Sequence, residues 1–575
     1  MKSSWRTTPS SLRQILVSIS AVAVWAYAGA AGCSSDSEGE NDGDCDTRDG
    51  PPASGETLFA HVHYKDEADL QRVVQSYDVL EDADGEARWV SMLIDDPLKY
   101  EALVASGHRV DIVRREARHA RLHLRSNTES AGIAGYPCYR TVEETHSALW
   151  QMASDYPHLA EVTSIGPSWK KKVGRGGYEL LVLTLTNRAI SAAKPILFVM
   201  GGLHPREYTT SETAVRFAEQ MARGYGVDPD ITWLLDHHEL QVLPQANPDG
   251  RKIAEQGYYQ RKNANDANGG RCADPPADDN HYGVDLNRNS SFRFNAGGSS
   301  ADPCDEFYRG SGAASEPETD SLQKYLASIF ADQRGPKIGD AAPSTASGVL
   351  ITLHSFGRKV LYPWAWSAAA APNAVQLATL GRKLGYLNGY TACQTGARGC
   401  LYVDSGSTDD WSYGELGIAS YTIELGTDFF EKCAAYEQNV GPGNLKALLY
   451  AFKAARRPYQ SPSGPDALQV IASPGSVVAG ASVTLTATLD DTRFNGREPT
   501  QKIAAARYAV DGPSWSGGTT FAMRASDGAF DATREKVTAS IDTTGWSSGR
   551  HIVLVEGRDV QGNWGVPSAV FVDVR

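Results

Sequence analysis

Two histidines and two glutamates stand where a folded chain can bring them to one edge of a sheet. His204 and Glu207 lie in residues 201–207 (GGLHPRE), directly after the apolar run 195–200. His354 follows a second apolar run, 348–353, and Glu424 lies in a third, 419–425 (ASYTIEL). A His and a Glu three residues apart are common on surface helices and mean little alone. At strand ends they mean more, because α/β sheets bind ligands in the crevice beyond the C-terminal ends of their strands. Two imidazole nitrogens and one carboxylate from such ends are ligands of the kind zinc takes, leaving one position open for water. Hydrolysis there also needs a carboxylate beside the water, and a glutamate inside a strand is costly unless paired or functional. Glu424 meets that description. His237 and His238 have no carboxylate spaced to complete a site and are read as structural.

The elements that must position these residues follow from the hydrophobic pattern. Strands are expected at 178–186, 195–200, 239–243, 348–353 and 419–423, alternating with helices at 141–156, 211–224, 315–331, 373–384 and 443–456. The third helix carries a capping-box pattern, Ser315 as N-cap and Glu318 at N3. This alternation implies one large α/β domain over 136–458. Before it, strands at 57–64, 87–94 and 109–113 with helices at 68–76 and 97–105 form a small α+β domain, 56–113. A basic linker, 114–135, joins the two; His119 and His123 in it are read as a solvated face. After it, alternating segments at 482–489, 502–510, 534–541, 551–559 and 569–574 predict an Ig-like β-sandwich over 459–575.

The chain has 575 residues, too many for one ordinary core. Its net charge of −14 argues against a nucleic-acid or anionic-membrane binder. Only one stretch is apolar enough to cross a bilayer, which excludes a polytopic transporter. It follows Lys2, Arg6 and Arg13 and ends in small residues before Cys33, the layout of a signal peptide (1–32) with Cys33 as a lipidated first residue. Plain secretion and an uncleaved anchor are the alternatives, and all three place the folded part outside the cytoplasm. An acidic tether, 33–55, follows. Export favours disulfides. Short loops favour Cys272 with Cys304 and Cys393 with Cys400, leaving Cys138 with Cys433 and Cys45 without an internal partner, although spacing alone does not fix connectivity.

Further motifs give the constellation a family likeness. Residues 285–289 read DLNRN, 259–263 YQRKN and 247–250 NPDG; Tyr402 precedes Glu424 by 22 residues. With the His-x-x-Glu loop and the strand-end His, they make residues 139–457 resemble the zinc carboxypeptidase A/B family, a mixed central sheet flanked by helices. The resemblance implies that His204, Glu207 and His354 bind one Zn2+, with Asp285 holding the distal nitrogen of His204. It implies that Glu424 moves the proton of the attacking water, that Arg261 steadies the oxyanion, and that Asn287, Arg288 and Tyr402 clamp a terminal carboxylate. Arg206 would line the side toward the upstream peptide. Asp409, just before the Asp410-Trp411 pair, stands where members that cleave basic residues place an acid. The small α+β domain has the position and size of the family's inhibitory prosegment. The implied partner is a peptide or protein C-terminus and the expected state a monomer. An amidase of the same fold acting on peptidoglycan stem peptides, or an inactive surface-binding protein, are the competing readings.

Overall fold

The computed structural model describes residues 50–575 apart from 54–55, 78, 86, 118–130 and 278–279. The expected signal segment, Cys33, Cys45 and the His119/His123 pair lie outside the described residues. No helix among the described residues is long and apolar enough to cross a membrane.

An eight-stranded mixed sheet forms the centre, in the order Thr391–Gln394, Lys359–Tyr362, Ala419–Glu424, Val349–His354, Ile196–Met200, Glu239–Leu243, Glu179–Leu185, Ala160–Pro167. The middle four strands are mutually parallel. Their sequences, among them VLITLH and ILFVM, are near-continuous apolar runs because helices cover both faces of a parallel sheet. Outside this core, Lys359–Tyr362, Glu179–Leu185 and Ala160–Pro167 join antiparallel, and the edge strand Thr391–Gln394 lies parallel to Lys359–Tyr362. Register places Glu424 beside His354, and Met200 beside Thr352, so three adjacent strands end at one edge. Tyr208–Gly224, Ala374–Asn388 and Gly441–Ala454 bury apolar faces against the sheet.

Shorter elements escaped the pattern: the strands Ala160–Pro167, Lys359–Tyr362 and Thr391–Gln394 and the helices Pro229–His237, Pro248–Ala254 and Thr408–Leu416. The expected capping box is not formed. The helix is Pro317–Ile329 with Glu316 as N-cap, and the Ser315 hydroxyl donates to Glu316. Glu318 instead accepts from the backbone N–H of Trp169 at 2.7 Å, at the start of the short helix Trp169–Lys172, so its carboxylate is taken by a distant partner. The disulfides are Cys138–Cys433, Cys272–Cys304 and Cys393–Cys400, the three expected pairs.

The N-terminal unit is a four-stranded antiparallel sheet with two helices, Glu67–Ser76 and Pro97–Ala105. Its order is Val79–Asp84, Trp89–Ile94, Glu56–His63, Arg109–Ala117. The first of these (VLEDAD) was not expected, because three acids in six residues hide its alternation. Arg109–Ala117 runs past residue 113, so Arg114 and Arg115 are strand residues and not linker. The unit packs on the rim of the central domain: Leu361, Cys400, Leu401 and Tyr402 join the apolar cluster that holds Leu58, Val62, Val90 and Met92. Arg114 pairs with Asp428 at 3.0 Å. A Cβ on Gly85 would lie 1.8 Å from the Cα of Gly399, so the two backbones meet where neither has a side chain.

The C-terminal strands form one continuous ladder, in which Thr520–Ala525 pairs with both Ile503–Val510 and Arg534–Asp542. The ladder folds over a single apolar core including Leu485, Leu489, Val537, Val553 and Val572. Asp466–Ser473, Ser476–Val477 and Thr520–Ala525 join the five segments expected. Where this unit meets the α/β domain, Asp466 is 2% exposed. Its carboxylate accepts from Lys383 Nζ at 3.0 Å, Tyr450 OH at 2.9 Å and Arg493 at 2.9 Å. Asp230 takes Lys453 at 2.6 Å and the Ala569 N–H at 2.9 Å.

Candidate active site

The Ile196–Met200 strand ends in a tight turn, and the chain then enters the long helix Tyr208–Gly224 with Glu207 at its N-cap position. That turn carries His204 and Glu207 over the ends of the neighbouring strands. His204 Nδ1 lies 2.8 Å from Glu207 Oε1 and 3.1 Å from His354 Nδ1, and His354 Nδ1 lies 3.4 Å from Glu207 Oε2. All three side chains are fully buried. Among the described residues this is the group of three His, Cys, Asp or Glu side chains whose ligand atoms lie within 4.8 Å of one another.

These distances fit a small cation. Zinc–nitrogen bonds of about 2.0–2.1 Å in tetrahedral geometry set ligand atoms about 3.4 Å apart. Two ring nitrogens facing each other beside a carboxylate make poor mutual partners, whereas all three are suitable donors to a metal. Burial works against the charge of Glu207, but the two imidazoles beside it outweigh that and hold its carboxyl below the ordinary range.

Asp285 is the hub beneath the cluster. Its carboxylate accepts from Asn287 N at 2.9 Å and from Arg261 Nε at 3.0 Å, and lies 3.2 Å from His204 Nε2. Burial opposes its charge, yet Arg261 and His204 keep its carboxyl well below the usual range. An ionised partner at Nε2 fixes the proton there and leaves Nδ1 as the ligand atom. Glu424, 1% exposed, ends the strand beside His354.

The remaining predicted residues line the same edge. Arg206 donates to Glu306 at 2.5 Å and lies over the Phe429 ring at 4.0 Å. Asn287 Oδ1 accepts from Thr408 N at 3.1 Å, which ties the 285–289 loop to the start of Thr408–Leu416. Asp409 is buried in the first turn of that helix; burial raises its carboxyl, against Ser407, the Asp410 N–H and His354. Asp410 faces the other way, accepting from the N–H groups of Ala365 and Trp366 at 3.0 and 2.9 Å. Tyr402 is buried under the N-terminal unit. His238, by contrast, sits in the core against Trp233 and Phe452, and burial with the charge of His237 pushes its imidazole down to about 3, as a structural residue would be.

Two buried acids at the site were not expected. Glu306, partner of Arg206, follows Cys304 by two residues, and the disulfide loop was the only signal that it points inward. Asp404 lies 3.0 Å from Arg288, in a Ser/Gly/Thr loop where a single acid carries no signal.

Residues 145–437 match the profile of a family described as zinc carboxypeptidase. Carboxypeptidase A1 of Rattus norvegicus is 26% identical over 333 residues, covering 57% of this chain and 71% of the relative. Carboxypeptidase A4 of Mus musculus is 29% identical over 307 residues, covering 52% of this chain and 64% of the relative. The match thus spans about two thirds of each relative's length. Among solved structures, the carboxypeptidase A of Helicoverpa armigera superposes with a TM-score of 0.55 at 22% identity, covering 70% of this chain and 99% of its own. Thrombin activatable fibrinolysis inhibitor gives 0.53 at 20% identity with the same coverage.

Proposed function

The chain belongs to the zinc carboxypeptidase family, and from that premise we propose that it hydrolyses the C-terminal peptide bond of peptides or proteins. The convergence of His204 Nδ1, His354 Nδ1 and the Glu207 carboxylate within 2.8–3.4 Å of one another carries the reading. These three side chains hold the zinc, which when bound polarises the scissile carbonyl and acidifies a water molecule. Glu424 takes the proton of the attacking water and delivers it to the departing amine. Arg261, fixed through Nε on Asp285, offers its guanidinium to the carbonyl oxygen as it gains charge. Asn287, Arg288 and Tyr402 receive the terminal carboxylate, with Arg288 suited to a planar, two-point grip. Arg206, oriented by Glu306, lines the upstream peptide.

Asp409 is the side chain we assign to a preference for C-terminal Arg or Lys. Its burial in the first turn of Thr408–Leu416, raised toward the neutral form, supports a role in which an incoming cation restores its charge. The N-terminal unit is assigned as an inhibitory segment, supported by its packing on Tyr402 and on the 400–402 rim. Three disulfides favour export, and a lipid anchor through Cys33 completes this reading.

Metal analysis of the purified protein, with turnover of blocked dipeptides ending in Arg, Lys, Phe or Leu before and after chelation, tests it. One zinc per chain, chelator-sensitive release of the last residue and faster release of Arg and Lys are expected. Metal-free material that still cleaves removes the mechanism, and a preference for Phe removes Asp409 from the pocket. Cleavage between residues 118 and 130 should raise turnover; an unchanged rate removes the inhibitory role.

A further inference from the structure

Arg288 is the residue to which the proposed function gives the substrate's terminal carboxylate, and its guanidinium already has neighbours on every side: two nitrogens donate to backbone carbonyls and the third stands within ion-pair distance of an acid. Nε donates to the Gly298 carbonyl at 3.1 Å and one terminal nitrogen donates to the Asn287 carbonyl at 2.9 Å. The other terminal nitrogen lies 3.0 Å from Asp404 Oδ2. Arg288 is fully buried and Asp404 is 4% exposed, so the pair is shielded from solvent and its attraction is little screened. The two carbonyls belong to the backbone and stay where the fold puts them. Asp404 is a side chain on the loop that joins Tyr402 to Asp409, hence on the segment that supplies the other proposed substrate contacts.

We propose that Asp404 is a specificity-setting residue that competes with the substrate's terminal carboxylate for Arg288. One guanidinium serves two carboxylates, one resident and one arriving. The arriving group gains the grip only as Asp404 yields its share of the charge, so affinity for a free C-terminus is lower than Arg288 alone would give. A ligand that binds without a carboxylate meets no such competition. The resident acid therefore lowers affinity for every carboxylate ligand by a common factor and leaves the bond-breaking step, carried by Glu424, alone. This rests on the assignment of Arg288 as the clamp.

The test uses the full chain, wild type and Asp404→Asn, each before and after cleavage between residues 118 and 130, with Asp404→Ser as a second variant should the first not fold. Calorimetry measures binding of 3-phenylpropanoate, a carboxylate with no scissile bond, against 3-phenylpropanamide. Asp404→Asn is expected to tighten the carboxylate about tenfold, the size of a lost charge-assisted contact, and to leave the amide within twofold. In turnover of a blocked dipeptide, KM should fall by a similar factor while kcat holds within twofold. In an Arg288→Ala background the Asp404 substitution should have no effect on the carboxylate. Unchanged or weaker carboxylate binding in the variant, equal tightening of the amide, or no binding by either protein overturns the proposal. Tighter carboxylate binding in a protein that never cleaves peptides supports the competition and removes the carboxypeptidase reading instead.

Discussion

The edge of the central sheet and the face where the β-rich unit meets the α/β domain both bury charged side chains, and they do so in opposite ways. At the interface, Asp466 has a donor for each lone-pair direction that matters: Lys383, Tyr450 and Arg493. At the sheet edge, two ring nitrogens and a carboxylate point at one another within 3.4 Å. Burial of a charge is therefore no sign of chemistry in itself. What separates the two regions is whether the polar atoms complete one another or converge on a space that only a third party completes.

Substitutions can break that contrast. The largest effect is expected for Glu424→Gln, which keeps shape but removes the proton carrier: kcat should fall about 10³-fold, with the melting temperature unchanged. A variant that keeps most of its activity would move the base elsewhere. Asp466→Ala should do the reverse, costing about 3–5 kcal/mol in denaturant unfolding by leaving Lys383 buried without its counter-charge, with kcat intact. Replacing the pair together, Asp466→Leu with Lys383→Met, should recover most of that loss; no recovery would mean that the site needs charge and not merely complementarity.

The smallest effect sharpens the comparison by showing an incomplete spot inside the interface. Asp491 accepts from the Gln501 N–H, yet burial, with Asp559 and Asp466 adding to it against Lys383, pushes its carboxyl up to about 7. The folded chain then keeps a proton that the unfolded chain has lost, so stability should fall as pH rises from about 4 to about 7. Asp491→Asn should flatten that slope and make the folded chain more stable at pH 8 than the parent. A slope that survives the substitution would assign it to another group.

The metal cluster was legible in the sequence because each ligand follows directly on an apolar run, and strands of a parallel sheet end together. Asp285 and Arg261 were reached through motif likeness, since nothing in a loop's composition says that it folds beneath a histidine. Asp404 and Glu306 were missed for the same reason: an acid among loop residues looks solvated until the fold turns it inward. Val79–Asp84 escaped because its acids mask the period of two, and the Ser315/Glu318 capping pattern failed because Trp169, 149 residues away in sequence, claims the glutamate. Local patterns report local geometry, and the Glu318 carboxylate was settled by a partner remote in the chain.

The bare meeting of Gly85 with Gly399 has its own consequence. Two backbones touch there with no room for even a methyl group, so the fit of the seam is set by absence of mass at position 85. Adding one carbon at position 85 would pry the N-terminal unit outward while leaving its own core intact, and should register as faster trypsin cutting between residues 118 and 130 rather than as a lower melting temperature.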